Sequence, residues 1–300
     1  GIILTKRGNG TASEIELAGF PYHSLDTYLP KLVRAGQRVA ICEQLEDPKM
    51  TKTIVKRGIT ELLTPGVSFN DQVLEQKKNN FLCAIHSSKD LYGISFLDVS
   101  TGEFLTAEGN KEHIDKLIQG FEPAEILYQK NRGKDLEDLF SNKTCTFRLE
   151  DWVFSSDFAH ESLNKHFGTQ SLKGFGVSDL ELGIIAAGAI LYYLSENQHH
   201  KLGHITALSR IEEERYVWLD RFTIRNLELV SSANERATTL LDILDHTITP
   251  MGGRLMKRWV LLPLKDRKPI EERLEAVGSL QAASEIAFSI GERLKEVGDI

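Results

Sequence analysis

The chain has 300 residues, of which 36 are lysine or arginine and 43 are aspartate or glutamate, so its net charge is −7. Apolar residues make up 41 % and charged residues 26 %, which is typical of globular proteins, and a chain of this length favours two or three domains over one. No secretory signal is visible at the start, and the longest nearly apolar run, residues 182–194, is too short to cross a bilayer. Acidity alone argues against nucleic-acid binding, which needs lysine and arginine to neutralise phosphates.

The cysteines and the two ends of the sequence carry further expectations. Cys42, Cys83 and Cys145 are odd in number and form no Cys-x-x-Cys pair, which is typical of free thiols and predicts a cytoplasmic protein. The sequence opens directly on a strand-like apolar run and stops inside a helical pattern. We therefore expect it to be a piece of a longer protein.

Charge and patterning divide the chain into three predicted domains, residues 1–64, 65–204 and 205–300. Their net charges are +2, −7 and −2, so only the first has a basic excess. A solvated face is the alternative explanation of such basic clusters. Thr64-Pro65-Gly66 is a turn signal that predicts the first boundary.

The first block predicts a small α/β unit. Its patterns indicate a strand at 2–6 and a helix that begins at the N-cap Ser24 and ends at Gly36. Pro30 lies within that helix and predicts a kink or a shifted boundary. Two further strands are predicted at 38–43 and 53–63.

The second and third blocks predict a mixed α/β domain followed by a mostly helical segment. Strands joined first by a hairpin and then alternating with helices indicate a mixed sheet. Residues 218–229 fit either a strand or a loop entering a helix. The predicted strands are 81–86, 91–99, 103–107, 125–128 and 145–149; the predicted helices are 111–119, 134–140, 156–166, 180–196, 238–245, 250–262 and one long helix from 266 to the chain end.

Motifs for nucleotide chemistry and nucleophilic catalysis are absent from the sequence. It contains no G-x-x-x-x-G-K-[ST], no G-x-G-x-x-G and no G-x-S-x-G string. His199, His200 and His204 form one histidine cluster, which fits a solvated linker better than a metal site because Gly203 interrupts it. No cofactor and no metal are therefore predicted for these 300 residues.

Asp98 is the most interesting catalytic candidate. It ends a strand before a tight turn and a second strand, which is how ribonuclease-H-like nucleases place their first metal ligand. Two-metal hydrolysis needs several converging carboxylates, and beyond Asp98 only Glu103 is a candidate. A metal-dependent nuclease therefore stays an alternative, beside the reading of Asp98 as a turn residue that caps the amides of Thr101 or Gly102.

Several strings, in order along nearly the whole chain, resemble the MutS family of DNA mismatch repair proteins. No single string is decisive, but their order and spacing make the resemblance strong. They are residues 4–8 (LTKRG), 18–23 (AGFPYH), 40–44 (AICEQ), 64–66 (TPG), 97–102 (LDVSTG), 123–125 (PAE), 175–177 (FGV), 240–245 (LLDILD), 249–252 (TPMG) and 257–259 (KRW).

The resemblance implies a role for each block. Residues 1–64 would be most of a mismatch-binding domain, 65–204 a ribonuclease-H-like connector, and 205–300 the start of a helical core or lever domain. In this family a Phe-x-Glu motif reads the mispaired base, and it is expected upstream of Gly1. The connector is expected to relay between the DNA-binding and ATPase parts and to dock other mismatch repair proteins.

Lys6 and Arg7 are the predicted DNA-binding residues. They lie on the family's Thr-Lys-Arg-Gly segment, which implies contacts to the DNA backbone, and two adjacent cations beside a Gly-Asn-Gly turn suit phosphate approach. Glu16-Leu17 stands where family members often carry Pro-Met, which puts minor-groove contact there in doubt.

The leading hypothesis is therefore a non-catalytic piece of a mismatch repair protein that recognises mispaired or looped DNA. The full-length protein would be an ATPase that uses ATP and Mg and forms a homodimer, with no membrane partner. The alternatives are the nuclease using Asp98 and a pure protein-interaction module formed by the acidic block.

Overall fold

The computed structural model describes residues 2, 4–7, 15–47, 50, 54–67, 77–140, 144–197, 202–232, 234 and 237–298. The chain divides into two compact units, Gly1–Thr64 and Pro65–Ile300. Both units contain strands and helices, which confirms the predicted multidomain α/β plus α class. The boundary predicted near residue 204, inside the second unit, stays a prediction.

The described residues of the first unit form two antiparallel strand pairs, a 3₁₀ turn (Tyr22–Ser24) and one α-helix. Strand β1 (Leu4–Arg7) pairs antiparallel with β2 (Ile15–Ala18), and β3 (Val39–Gln44) pairs antiparallel with β4 (Arg57–Leu63). Helix α1 (Leu25–Arg34) follows Ser24 as predicted and continues through Pro30. Strand β2 is missed by the sequence patterns because a four-residue alternation is too short to stand out.

A six-stranded sheet organises the second unit. Its spatial order is β10-β7-β6-β5-β8-β9, with β5, β6 and β7 antiparallel and β8 and β9 parallel to β5. This is the mixed sheet that the hairpin-then-helix pattern predicts. The strands are β5 (Phe81–Ser88), β6 (Leu91–Asp98), β7 (Glu103–Gly109), β8 (Glu125–Gln129), β9 (Cys145–Leu149) and β10 (Ser209–Arg210).

Helices cover both faces of this sheet. Helix α2 (Lys111–Phe121) covers one face, while α4 (Ser156–Phe167) and α5 (Glu181–Glu196) cover the other, so β5 is buried on both sides. The predicted helix at 134–140 is a short helix α3 (Gly133–Leu136) followed by a 3₁₀ turn. Both free cysteines of this unit lie on the sheet, and Cys83 is fully buried.

Helix α5 packs so closely on the sheet that glycine is required at the contact. A Cβ at Gly93 in β6 would lie 2.1 Å from the carbonyl carbon of Leu182, and one at Gly183 would lie 2.5 Å from Oγ1 of Thr106. The hydroxyl of Ser95 donates to the carbonyl of Gly183 at 2.9 Å. The backbone of β6 at Gly93 is therefore in direct contact with the backbone of the first turn of α5.

The rest of the second unit is helical. It contains α6 (Arg221–Asn226), α7 (Leu240–Leu244), α8 (Pro250–Leu261), α9 (Arg267–Ala282) and α10 (Ser284–Leu294). The prediction of one long helix from 266 is wrong, because Ala283 adopts φ −112° and ψ 60° and ends α9. The alternative of a loop entering a helix at 218–229 is confirmed by α6.

We expect Gly93→Ala to destabilise the second unit by about 3 kcal/mol or more, because its Cβ would overlap the backbone of α5. Gly120→Ala is the matched control: a Cβ there meets nothing within 4 Å, and alanine in a helix gains about 0.5–1 kcal/mol over glycine. Urea unfolding followed by tryptophan fluorescence reports this unit, which holds all three tryptophans. Equal midpoints for the two variants would contradict the close contact.

Candidate nucleic-acid interface and the Asp98 corner

Lys6 and Arg7 lie side by side on strand β1. Their backbone partners in β2 are Glu16 and Ile15, respectively. Glu16, which is exposed, places a negative charge on the strand that pairs with β1. The Gly8-Asn9-Gly10 turn beside them lies outside the described residues.

Other basic residues of the first unit cluster around the end of α1. Lys31 and Arg34 occupy the last turn, where positive charge also favours the helix dipole. The ammonium of Lys31 lies 5.4 Å from the ring centroid of Tyr28, and that ring stacks on Phe20 at 4.6 Å. Both cations are exposed and add to the basic excess of the first unit. Lys6 and Arg7 stay the residues that the sequence predicts to bind DNA.

Asp98 lies at the end of β6 and is 1 % exposed. Its Oδ1 accepts hydrogen bonds from the amide and the hydroxyl of Ser100 at 3.1 and 2.7 Å. Its Oδ2 accepts from the side-chain amide of Asn79 at 2.9 Å and from the backbone N–H of Asn80 at 3.1 Å. The carboxylate is therefore a hub that holds the β6–β7 turn and the segment before β5 together.

The structure confirms Asp98 as a turn residue but corrects the amide it caps. Its carboxylate binds the amide of Ser100, whereas the amide of Gly102 donates to the backbone carbonyl of Asp98 at 2.9 Å. Gly102 has a φ of +75°, and this left-handed conformation, which favours glycine, closes the turn. An aspartate side chain commonly accepts a hydrogen bond from the amide two residues further on, here that of Ser100, and this contact forms the turn.

The nuclease alternative is not favoured. Both carboxylate oxygens of Glu103 already accept hydrogen bonds, one from the side-chain amide of Asn79 at 3.2 Å and the other from the guanidinium of Arg258. Among the described residues no group of three or more histidine, cysteine, aspartate or glutamate side chains could hold a metal ion.

Of the predicted histidine cluster, the structure describes only His204. Its Nε2 lies 2.7 Å from the carbonyl oxygen of Val99. His199 and His200 lie outside the described residues.

A buried carboxylate that sequence reasoning did not single out joins three parts of the second unit. Glu125, at the start of β8, is 2 % exposed. It accepts a hydrogen bond from the hydroxyl of Tyr193 in α5 at 2.6 Å and another from the amide of Gly66 at 3.1 Å. The Pro65-Gly66 turn is thereby tied to the sheet and to α5. The Pro-Ala-Glu string was the signal in the sequence that could have drawn attention to Glu125, but Gly66 and Tyr193 are too far away in the sequence to be predicted as its partners.

Ion pairs between described residues join the sheet part of the second unit to its helical part. Arg258 in α8 binds Glu103, and the ammonium of Lys257 lies 3.3 Å from the carboxylate of Glu122. The ammonium of Lys77 lies 3.0 Å from the carboxylate of Asp245. Apolar side chains pack beside these pairs, namely Ile224, Leu229, Leu261 and Leu262, with Phe121 and Trp218 against them.

Comparison with known proteins identifies the class to which this architecture belongs. The family models described as MutS domain I, MutS domain II and MutS domain III match residues 1–72, 80–206 and 222–300. The chain belongs to the MutS family of DNA mismatch repair proteins.

Curated relatives named DNA mismatch repair protein MutS align with the whole length of the chain. DNA mismatch repair protein MutS of Christiangramia forsetii is 60 % identical over 299 residues, covering all of this chain and 34 % of the relative. The proteins of the same name from Cytophaga hutchinsonii and Flavobacterium johnsoniae are 59 % and 60 % identical over 300 residues, or 35 % of each relative. The chain thus spans about a third of the length of these relatives.

Among the described residues, no helix has both the length and the apolar character that crossing a bilayer requires. The longest apolar helix, α5, has 16 residues and is buried between the sheet and α4. Its apolar sequence is therefore explained by packing inside the protein.

We expect Asp98→Asn to destabilise the second unit by about 2 kcal/mol, because an amide would place an NH₂ group against donors that the carboxylate now accepts. Asp90→Asn, in the exposed turn between β5 and β6, is the matched control and should shift the unfolding midpoint little. Metal-dependent cleavage of labelled DNA by the unchanged protein, lost in Asp98→Asn without loss of stability, would instead restore the nuclease hypothesis.

Proposed function

We propose that the chain is the DNA-facing and connecting part of a mismatch repair protein that recognises mispaired or looped DNA. Residues 1–64 form most of the mismatch-binding domain, 65–204 the connector and 205–300 the start of the helical core. The observation that carries the proposal is the 60 % identity, along the whole chain, to proteins named for DNA mismatch repair. The separate matches to domains I, II and III support the same assignment.

The first unit contacts the DNA backbone through Lys6 and Arg7. The net charges of +2 for residues 1–64 and −7 for residues 65–204 favour this placement, because a phosphate backbone is attracted to the first and repelled by the second. Contacts of this kind position the protein and carry no sequence information. Recognition of the mispair itself is assigned to a Phe-x-Glu motif, and no such string occurs in the 300 residues.

The full-length protein acts as a cytoplasmic homodimer that hydrolyses ATP with Mg, and the chain described here supplies none of that chemistry. No phosphate-cradling string occurs in its sequence. The connector transmits the DNA-bound state to the ATPase part and docks other mismatch repair proteins. Support for transmission comes from the ion pairs and apolar contacts that join the sheet to α8.

We expect Lys6→Glu with Arg7→Glu to weaken binding to a fluorescein-labelled duplex about tenfold and to reduce the salt slope by about two, because two phosphate contacts are lost. Fluorescence anisotropy across a salt series measures both quantities. The control, Lys165→Glu with Lys173→Glu, makes the same charge change at exposed positions of the second unit and should change binding little. Equal losses in the two double variants would contradict a contact at β1.

We expect the 300-residue chain to bind a G·T duplex and the matching homoduplex with affinities within about twofold, because phosphate contacts carry no base information. Competition between the two duplexes in the same anisotropy assay measures the ratio. A clear preference for the G·T duplex would show that mismatch reading resides in these residues.

Transmission through the connector is testable in the full-length protein. We expect Glu103→Gln to reduce the stimulation of ATP hydrolysis by mismatched DNA about fivefold while basal hydrolysis is retained, because the Arg258 contact to the sheet is weakened. Lys111→Gln, which removes an exposed pair with Asp138 inside the connector, is the control. Unchanged stimulation in Glu103→Gln would exclude this junction as the route.

A further inference from the structure

Three aromatic rings form a cluster on the surface of the second unit, away from the junction with α8. The centroid of Trp152 lies 5.2 Å from that of Phe158 and 5.0 Å from that of Tyr192, and Phe158 and Tyr192 lie 5.8 Å apart. All three pairs are edge-to-face, with interplanar angles of 76–79°. Rings in this arrangement present differently oriented faces and edges around one point.

The indole of Trp152 is 54 % exposed although large aromatic side chains gain most from burial. It lies in the 3₁₀ turn Asp151–Phe154, whose last two members, Val153 and Phe154, are buried in the core. Phe158 lies in the first turns of α4 and Tyr192 near the end of α5. Rigid elements therefore hold the indole at the surface, and no loop rearrangement is needed to present it.

Two exposed carboxylates neighbour the aromatic cluster. Glu150 precedes the 3₁₀ turn and Glu196 ends α5, and both are exposed. Tyr192 and Glu196 are four residues apart on α5 and therefore lie on one face of the helix. Burial raises the pKa of the Tyr192 hydroxyl, and the negative charges of Glu196 and Glu150 raise it further. Glu150 also pairs with Lys130 at 2.9 Å, an exposed contact that a stronger cationic partner can replace.

We propose that the Trp152 patch, defined as Glu150, Trp152, Phe158, Tyr192 and Glu196, docks a protein segment that presents arginine or lysine side chains. An aromatic cluster with two neighbouring carboxylates attracts a cation both through the ring faces and through charge. The same carboxylates repel DNA phosphates and anionic lipid surfaces. The net charge of −7 over residues 65–204 steers a basic partner toward this part of the protein.

This proposal deepens the partner-docking role proposed for the connector and is independent of the DNA contact at β1. Its failure would leave the Lys6 and Arg7 experiment untouched, because that experiment uses a different ligand and a different unit. Conversely, loss of DNA binding would not alter the charge or exposure of the Trp152 patch.

The test uses the 300-residue chain and an acetylated, amidated peptide of alternating glycine and arginine. The three indole N–H signals are followed by NMR, and the Trp152 signal is assigned from Trp152→Phe. We expect the peptide to shift the Trp152 signal saturably and the shifts to weaken with salt. Because the Trp152 variants lack this signal, affinities of all variants are compared by the fluorescence anisotropy of a fluorescein-labelled form of the peptide. Trp152→Ala and the pair Glu150→Gln with Glu196→Gln should each weaken binding about fivefold, and Trp152→Phe should retain most of it.

Phe222→Ala, which removes a ring that is 75 % exposed on α6, is the control and should bind the peptide like the unchanged protein. A peptide with glutamine in place of arginine should leave the Trp152 signal unmoved. Equal binding of the glutamine peptide would overturn the cationic partner in favour of an apolar one. Equal binding by Trp152→Ala, no shift with the arginine peptide, or a shift of Trp152 by duplex DNA would each overturn the proposal.

Discussion

The backbone contact between helix α5 and strand β6 is the constraint on which the second unit depends. No side chain fits at Gly93, so the first turn of α5 lies against the sheet, and its amide at Leu182 is bound by the carboxylate of Glu108 at 2.9 Å. Farther along, Gly188 packs against Ala159 of α4, where a Cβ would lie 2.6 Å from the Cα of Ala159. Helix α5 is thus fixed on two sides.

Because α5 is fixed, neighbouring tyrosines on it have different roles. Tyr193 points into the core and donates to the buried carboxylate of Glu125, which also holds the amide of Gly66. Tyr192 lies at the surface with Trp152 and Phe158. Helix α5 therefore stabilises the Pro65-Gly66 segment at the start of the second unit and also contributes Tyr192 to the Trp152 patch.

Local features of the fold could be predicted from the sequence, and long-range ones could not. The β6–β7 hairpin, helix α5 and the Thr249-Pro250 start of α8 follow from turn residues, periodicity and capping, and the structure confirms them. The end of α9 at Ala283 could not be predicted, because no glycine or proline stands there to indicate a helix end. The Arg258–Glu103 pair joins positions 155 residues apart, and nothing in local patterning connects them. The net charge of −7 argues against nucleic-acid binding only when it is averaged over the chain, because residues 1–64 have a basic excess of +2.

The most direct test of the account is hydrogen–deuterium exchange of the 300-residue chain with and without duplex DNA. The amides of Leu4–Arg7 and of its partner strand Ile15–Ala18 should exchange more slowly with DNA, because phosphate contacts at Lys6 and Arg7 hold this hairpin. Amides around Trp152 should be unchanged. Protection confined to the second unit, with none at β1 or β2, would contradict the proposal that the basic first unit is the part that faces DNA.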